Sequence, residues 1–233
     1  MIGVTENLAL IKDLLAFSAA EAEREPGAVK LLAVSKKQPV SMILEAAKAG
    51  QRDFGENFVQ EALTKIDQTR DENLTWHFIG HLQTNKTRVV AENFDWVHTI
   101  DQLKTARRLS EQRPERLGPI NICLQINVDA EGSKSGISPD ALPDLAASVA
   151  ELPALALRGL MCLPTARLDF EAQREPFARL RKMAESLRDH GLAVDTLSMG
   201  MSGDFRAAIF EGSTIVRLGT ALFGQRGNDG TQG

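Results

Sequence analysis

Lys30-Leu-Leu-Ala-Val-Ser-Lys-Lys37 is a short apolar run, Leu31 to Val34, that ends abruptly in two lysines and is closed by Gln38-Pro39. It lacks strict polar alternation, as expected of a strand whose two faces are both buried in a parallel sheet. The spacing predicts a strand over 30–35 and then a helix. That helix carries Val40, Ile43, Leu44 and Ala47 on one face, with Pro39 near its start and Gly50 as its stop. A lysine at the carboxyl end of a buried strand is costly as structure. It becomes useful when its amine is a nucleophile toward a carbonyl carbon.

The same strand-then-helix unit repeats to the end of the chain. Further strands are predicted over 52–54, 76–79, 96–100, 120–128, 155–161, 194–197 and 214–218. Helices lie between them. One is opened by Asn57 in an Asn-x-x-Gln capping pattern with Gln60, one by Asp101, and one by Ser138-Pro139. A long charged helix covers 168–189, and an amphipathic helix over 2–24, with Leu8, Ile11, Leu14 and Leu15, precedes the first strand. Eight strands alternating with helices predict an α/β fold, a single (β/α)8 TIM barrel with an added N-terminal helix. The competing architecture is an open doubly wound sheet, because strands two and seven are weakly marked. Residues 1–226 read as one barrel domain and Gly227–Gly233 as a disordered tail.

The 233 residues suit one such barrel, and 43% hydrophobic content suffices for its core. A net charge of −4 with mixed signs gives no sign of a nucleic-acid partner, and no apolar run is long enough to span a membrane. Cys123 and Cys162 sit in separate apolar runs and read as buried small hydrophobes in a reduced, cytoplasmic compartment. The four histidines show no metal-ligand spacing, so no metal is expected. There is no tyrosine.

A barrel places its site at the carboxyl ends of its strands. After strand one stand Lys36 and Lys37; after strand two, Gly55-Glu56-Asn57; after strand three, Gly80-His81; after strand five, Ser133-Lys-Ser-Gly136. Strands seven and eight are followed by Ser198-Met-Gly-Met-Ser202-Gly203 and by Gly219-Thr220. Phosphates in such barrels are often held by these last two loops, where glycine lets backbone N–H groups approach an anion and hydroxyls donate to it. The plainer reading is two ordinary turns with Ser198 or Ser202 as caps. A lysine amine facing a phosphate cradle suggests a phosphorylated aldehyde or ketone. Pyridoxal 5′-phosphate (PLP) is the economical candidate and a sugar phosphate the competitor. Arg217, two residues before Gly219, favours PLP if its side chain points inward, where an always-charged donor disfavours protonation of the pyridine. It could equally be a strand-end surface arginine. Leu32, Val34 and Lys36 share one face of the first strand, and Leu31, Ala33 and Ser35 the other. Both faces are apolar, so polarity does not choose between them. His77 and His98 read as structural residues within strands, and Glu56 and Glu61 as structural or solvated.

Six segments, taken in order, carry a resemblance. They are Ala33-Val-Ser-Lys36, Phe54-Gly-Glu-Asn57-Phe-Val-Gln-Glu61, Trp76-His-Phe-Ile-Gly-His-Leu-Gln83, Ser133-Lys-Ser-Gly136, Leu197-Ser-Met-Gly-Met-Ser202 and Val216-Arg-Leu-Gly-Thr220. Together they closely resemble the pyridoxal phosphate homeostasis protein family, whose barrel is that of the alanine racemase N-terminal domain. The resemblance implies PLP held as an internal aldimine on Lys36, with Arg217 toward the pyridine nitrogen. It also implies Ser198, Ser202, Gly219 and Thr220 around the phosphate, with Asn57 and His81 near the ring. Gly203 departs from the family pattern, where an acidic residue often precedes the position of Asp204.

Two functions follow from this reading. The first is a PLP-binding homeostasis protein without turnover, whose partners are PLP and PLP-dependent apoenzymes, expected as a monomer. The second is a racemase-like PLP enzyme. Two-base racemisation needs acid–base groups on both cofactor faces. The tyrosine and second domain that supply one of them in alanine racemase have no counterpart in this sequence.

Overall fold

Parallel strands cannot be joined by tight turns; each needs a crossover, and right-handed crossovers carry the chain steadily round one axis. A computed structural model describes residues 3–130 and 135–224 of this chain. Its strands are β1 (Lys30–Val34), β2 (Asp53–Glu56), β3 (Thr75–Phe78), β4 (Trp96–Ile100), β5 (Ile120–Ile126), β6 (Leu155–Cys162), β7 (Thr196–Ser198) and β8 (Ile215–Leu218). They pair in parallel in chain order, and β1 pairs with β8, Leu32 opposite Arg217, to close the barrel. That closure excludes the open doubly wound sheet.

The two weakly marked strands both exist, each displaced toward its carboxyl end. β2 runs on to Glu56, and β7 begins at Thr196, not Val194. Val194 still belongs to the preceding turn, where its N–H donates to the Leu192 carbonyl at 2.9 Å. Opposite β7, a Cβ on Gly159 would lie 1.8 Å from the Thr196 carbonyl oxygen, so only glycine admits this strand.

The helices are α1 (Val4–Glu21), α2 (Val40–Lys48), α3 (Val59–Gln68), α4 (Thr87–Asn93), α5 (Leu103–Gln112), α6 (Leu142–Ala150), α7 (Phe170–Asp189), α8 (Phe205–Phe210) and α9 (Thr220–Phe223). Leu8, Ile11 and Leu15 of α1 are buried, but Leu14 is 48% exposed and lies in an outward stripe with Leu10 and Phe17. Two expected caps are corrected. Phe58, not Asn57, holds the N-cap position of α3, because the chain stays extended through β2 and beyond. Gln102, not Asp101, precedes α5. Ser138 does precede a short turn opened by Pro139, with no side-chain cap bond. Asp169 caps α7 properly, accepting from the Ala172 N–H at 2.8 Å.

The parity left open in β1 is resolved. Leu31 and Ala33 pack in the layer between strands and helices. Leu32 points into the barrel, where a Cβ on Gly55 would meet it at 3.2 Å. Val34 and Lys36, on the face of Leu32, border the mouth. Ser133 and Lys134, and the tail 227–233, lie outside the described residues.

Candidate functional site

A cavity of about 400 Å³ opens at the carboxyl ends of the strands, where the fold predicts a site. Lys36 reaches it from just past β1, with Asn57, Ser202, Arg217, Gly219 and Thr220 around the same space. The turn that releases Lys36 from the strand is held from behind. Lys37 adopts a left-handed φ of 60°, and its N–H donates to the Glu61 carboxylate. The Gln38 N–H donates to the Ser35 carbonyl at 3.0 Å. Beneath this turn the buried Lys65 ammonium donates to the Ser35 carbonyl at 2.7 Å, to Glu56 Oε1 at 2.7 Å and to Glu61 Oε1 at 2.6 Å. The Ser35 hydroxyl donates to the same Glu56 oxygen at 2.6 Å. Burial raises the Glu56 pKa, against the opposing bonds from Lys65 and Ser35. These two glutamates are therefore structural, and what they fix is the exit angle of the chain at Lys36.

Arg217 points inward from β8 and is only 4% exposed. It donates from Nη1 to Ser198 Oγ at 2.8 Å and from Nη2 to the Cys162 carbonyl at 2.9 Å. Among the described residues no carboxylate lies within ion-pair distance of it, although Asp204 acts on it from further away. Burial lowers its pKa, but a guanidinium starts so high that it keeps its charge. A guanidinium has five N–H donors, and these two bonds use two of them. A desolvated cation of this kind is costly and marks a place built to meet an acceptor. The thiols of Cys162 and Cys123 are pushed by burial up to about 12 and stay neutral beside it.

The other expected site residues divide. Asn57 borders the cavity, and its Oδ1 is buried with no hydrogen-bond partner. Gly80 makes room for Asn57: a Cβ there would lie 2.0 Å from the Asn57 carbonyl oxygen. Ser202 and Thr220 are exposed on the rim, and Gly219 presses against Val34, whose carbonyl oxygen would be 3.0 Å from an added Cβ. His81 is exposed and does not border the cavity. Ser198 is fully buried below it, engaged by Arg217 and by His98 Nδ1 at 2.7 Å. The sequence reading missed Gln38 and an apolar wall of Ile79, Met161, Leu163 and Met201. Each lies at or just beyond a strand end, which is the signal that would have found them. His77 and His98 are buried and hydrogen-bonded, as strand-interior histidines should be.

No helix among the described residues is long and apolar enough to cross a membrane. The family model for the alanine racemase N-terminal domain matches residues 16–227. A pyridoxal phosphate homeostasis protein of Pseudomonas aeruginosa is 54% identical over 226 residues, 97% of each chain. One of Escherichia coli is 49% identical over 229 residues, covering 97% of this chain and 98% of its own. The solved structure of PipY from Synechococcus elongatus with PLP bound superposes with a TM-score of 0.79 at 38% identity, over 90% of this chain and all of that one. Alanine racemase from Corynebacterium glutamicum shares the fold at 20% identity, with a TM-score of 0.70 over 97% of this chain and 63% of that one. The closed parallel barrel, the family model over residues 16–227 and 54% identity across nearly the whole length agree, and the chain belongs to the alanine racemase N-terminal domain family, among its pyridoxal phosphate homeostasis proteins.

Proposed function

We propose that this chain binds PLP in the barrel mouth, with Lys36 as its covalent anchor. It acts as a cytoplasmic carrier in PLP homeostasis, holding the cofactor and passing it to PLP-dependent apoenzymes without turnover of its own. The observation that carries the reading is Arg217, a buried guanidinium with unspent donors, in the same cavity as Lys36. When bound, PLP supplies an aldehyde that condenses reversibly with a primary amine, together with a ring nitrogen and a phosphate.

The residues present fit that group. Arg217 donates toward the ring nitrogen and, being always charged, disfavours a proton there. Asn57, with an unpartnered buried oxygen, offers an acceptor beside the ring. Ser202, Gly219 and Thr220 supply hydroxyls and backbone close to one another on the rim for the phosphate. Met161, Leu163 and Ile79 exclude water from one side. Ser198 acts below the ligand, through Arg217, and His81 does not border the cavity. Among the described residues that border the cavity Lys36 is the one amine, and no described histidine or carboxylate joins it. This supports holding over two-base chemistry, and it agrees with the names of the relatives.

The test is titration with PLP, followed by visible absorbance. Wild-type protein gains a visible band, and borohydride fixes a pyridoxyl adduct on the peptide containing Lys36. Lys36→Ala gains neither. A retained band in that variant, or an adduct mapped to another lysine, overturns the assignment of the anchor.

A further inference from the structure

A line of hydrogen bonds crosses the inside of the barrel beneath the mouth. Arg217 Nη1 donates to Ser198 Oγ at 2.8 Å, and Ser198 Oγ meets His98 Nδ1 at 2.7 Å. His98 Nε2 meets His77 Nδ1 at 2.9 Å, and His77 Nε2 meets Asp53 Oδ1 at 3.1 Å. Five strands, β8, β7, β4, β3 and β2, each contribute one member. Asp53 also pairs with Lys30 at 3.3 Å and borders a second cavity at the opposite, amino-terminal end of the strands.

The direction of every bond in this line is determined. An ionised carboxylate only accepts, so His77 carries its hydrogen on Nε2. Both rings are fully buried with no bond to a second anion, so both are neutral. Neutral His77 must then accept at Nδ1, which puts the His98 hydrogen on Nε2 and leaves His98 Nδ1 as an acceptor. Ser198 therefore donates to His98, and its lone pairs are turned to Arg217. Arginine has no acceptor, so Ser198 accepts from Arg217, which leaves its one hydrogen for His98. All donors point one way, from the mouth to the floor.

We propose that Ser198, His98, His77 and Asp53 are positioning residues for Arg217, a one-way chain that locks the guanidinium in place as a donor to the cofactor's ring nitrogen. This rests on the PLP reading of the site. The chain gives Arg217 a fixed acceptor in place of a carboxylate, so its orientation is set without neutralising it. Because no member has a free hydrogen to send upward, the line delivers no proton to the mouth.

Two measurements test this. In cofactor-free protein, nitrogen-15 NMR of the imidazoles reports tautomers directly, and the expectation is Nε2–H on both His77 and His98. PLP titration then compares wild type with Ser198→Ala, His98→Leu and His98→Asn. Ser198→Ala and His98→Leu should weaken binding about tenfold or more and move the visible absorbance maximum, as a charge-assisted contact is loosened. His98→Asn, whose Oδ1 stands where Nδ1 stood, should stay within about threefold of wild type and keep the maximum. An Nδ1–H tautomer on His98 would overturn the chain even if every variant misfolded. So would Ser198→Ala and His98→Leu proteins that bind as wild type does with an unshifted spectrum. Wild type that binds no PLP instead removes the site reading itself, and this proposal with it.

Discussion

Lys65 is a lysine with almost no access to water, and its ammonium is divided among two carboxylates and a backbone carbonyl. Burying such charges gains little by itself, since desolvation consumes most of the Coulombic attraction. Removing one partner is another matter. Lys65→Met would leave Glu56 fully buried with only the Ser35 hydroxyl beside it, and Glu56 Oε2 already lacks a partner. The expected loss is about 3–5 kcal/mol. Chemical denaturation measures it, and the double variant Lys65→Met, Glu56→Leu should recover part of the loss. If the double variant is no better than the single one, the buried charge was not the cause. Because the cluster sets the exit of Lys36, the single variant should also bind PLP more weakly at temperatures where it remains folded.

At the scale of strands and loops, close backbone approach decides which substitutions are tolerated. Gly80→Ala must displace the Asn57 carbonyl, whereas a Cβ on Gly203, on the loop before α8, meets nothing within 4 Å. Gly80→Ala should therefore cost at least about 1–3 kcal/mol and loosen PLP binding through Asn57. Gly203→Ala should stay within about 0.5 kcal/mol of wild type. Thermal melts of the two proteins separate these outcomes, and equal melting temperatures would mean that the β2 and β3 loops yield freely. The same contacts explain what could be read in the sequence. The alternation of apolar runs and helical faces carried the barrel, and Lys36, Asn57, Ser202, Gly219 and Thr220 do border one cavity because they follow strand ends. The Asn57 cap and the start of β7 were misread because each depends on how far the neighbouring strand stays extended, a tertiary fact. Ser198 looked like a rim residue, since Ser-Met-Gly-Met-Ser gives no sign of which serine turns inward. The parity of β1 was closed to sequence because both its faces are apolar, and Gly55 opposite Leu32 is what resolves it.

For the molecule as a whole, two neutral histidines at its centre tie stability to pH. Burial lowers the His77 pKa despite its bond to Asp53, and burial together with the nearby His77 and Arg217 holds His98 well below the ordinary 6.5. In the unfolded chain both rings take up protons near pH 6.5, while in the folded barrel they do not. The unfolded state then binds more protons, so stability rises with pH through this window and falls as acid is added. The stabilisation is fully present above the unfolded pKa and is lost from about pH 6.5 downward, by up to about 1.4 kcal/mol per pH unit for each histidine. Asp53 acts in the same sense at lower pH: burial would raise its pKa, but its hydrogen bonds with His77 and Lys30, together with the Lys30 charge, outweigh that and lower it. Glu56 acts in the opposite sense, because its raised pKa favours the folded state once it is protonated. Melting temperature should therefore change little above about pH 7 and fall as the pH drops below about 6.5, with the hydrogen-bonded line intact. His98→Asn removes one of the two titrating rings while preserving the acceptor for Ser198, so its melting curve should fall less steeply by about one proton's slope. A His98→Asn protein with an unchanged slope would show that the acid sensitivity arises elsewhere, and that His98 is not the buried neutral link between Arg217 and Asp53.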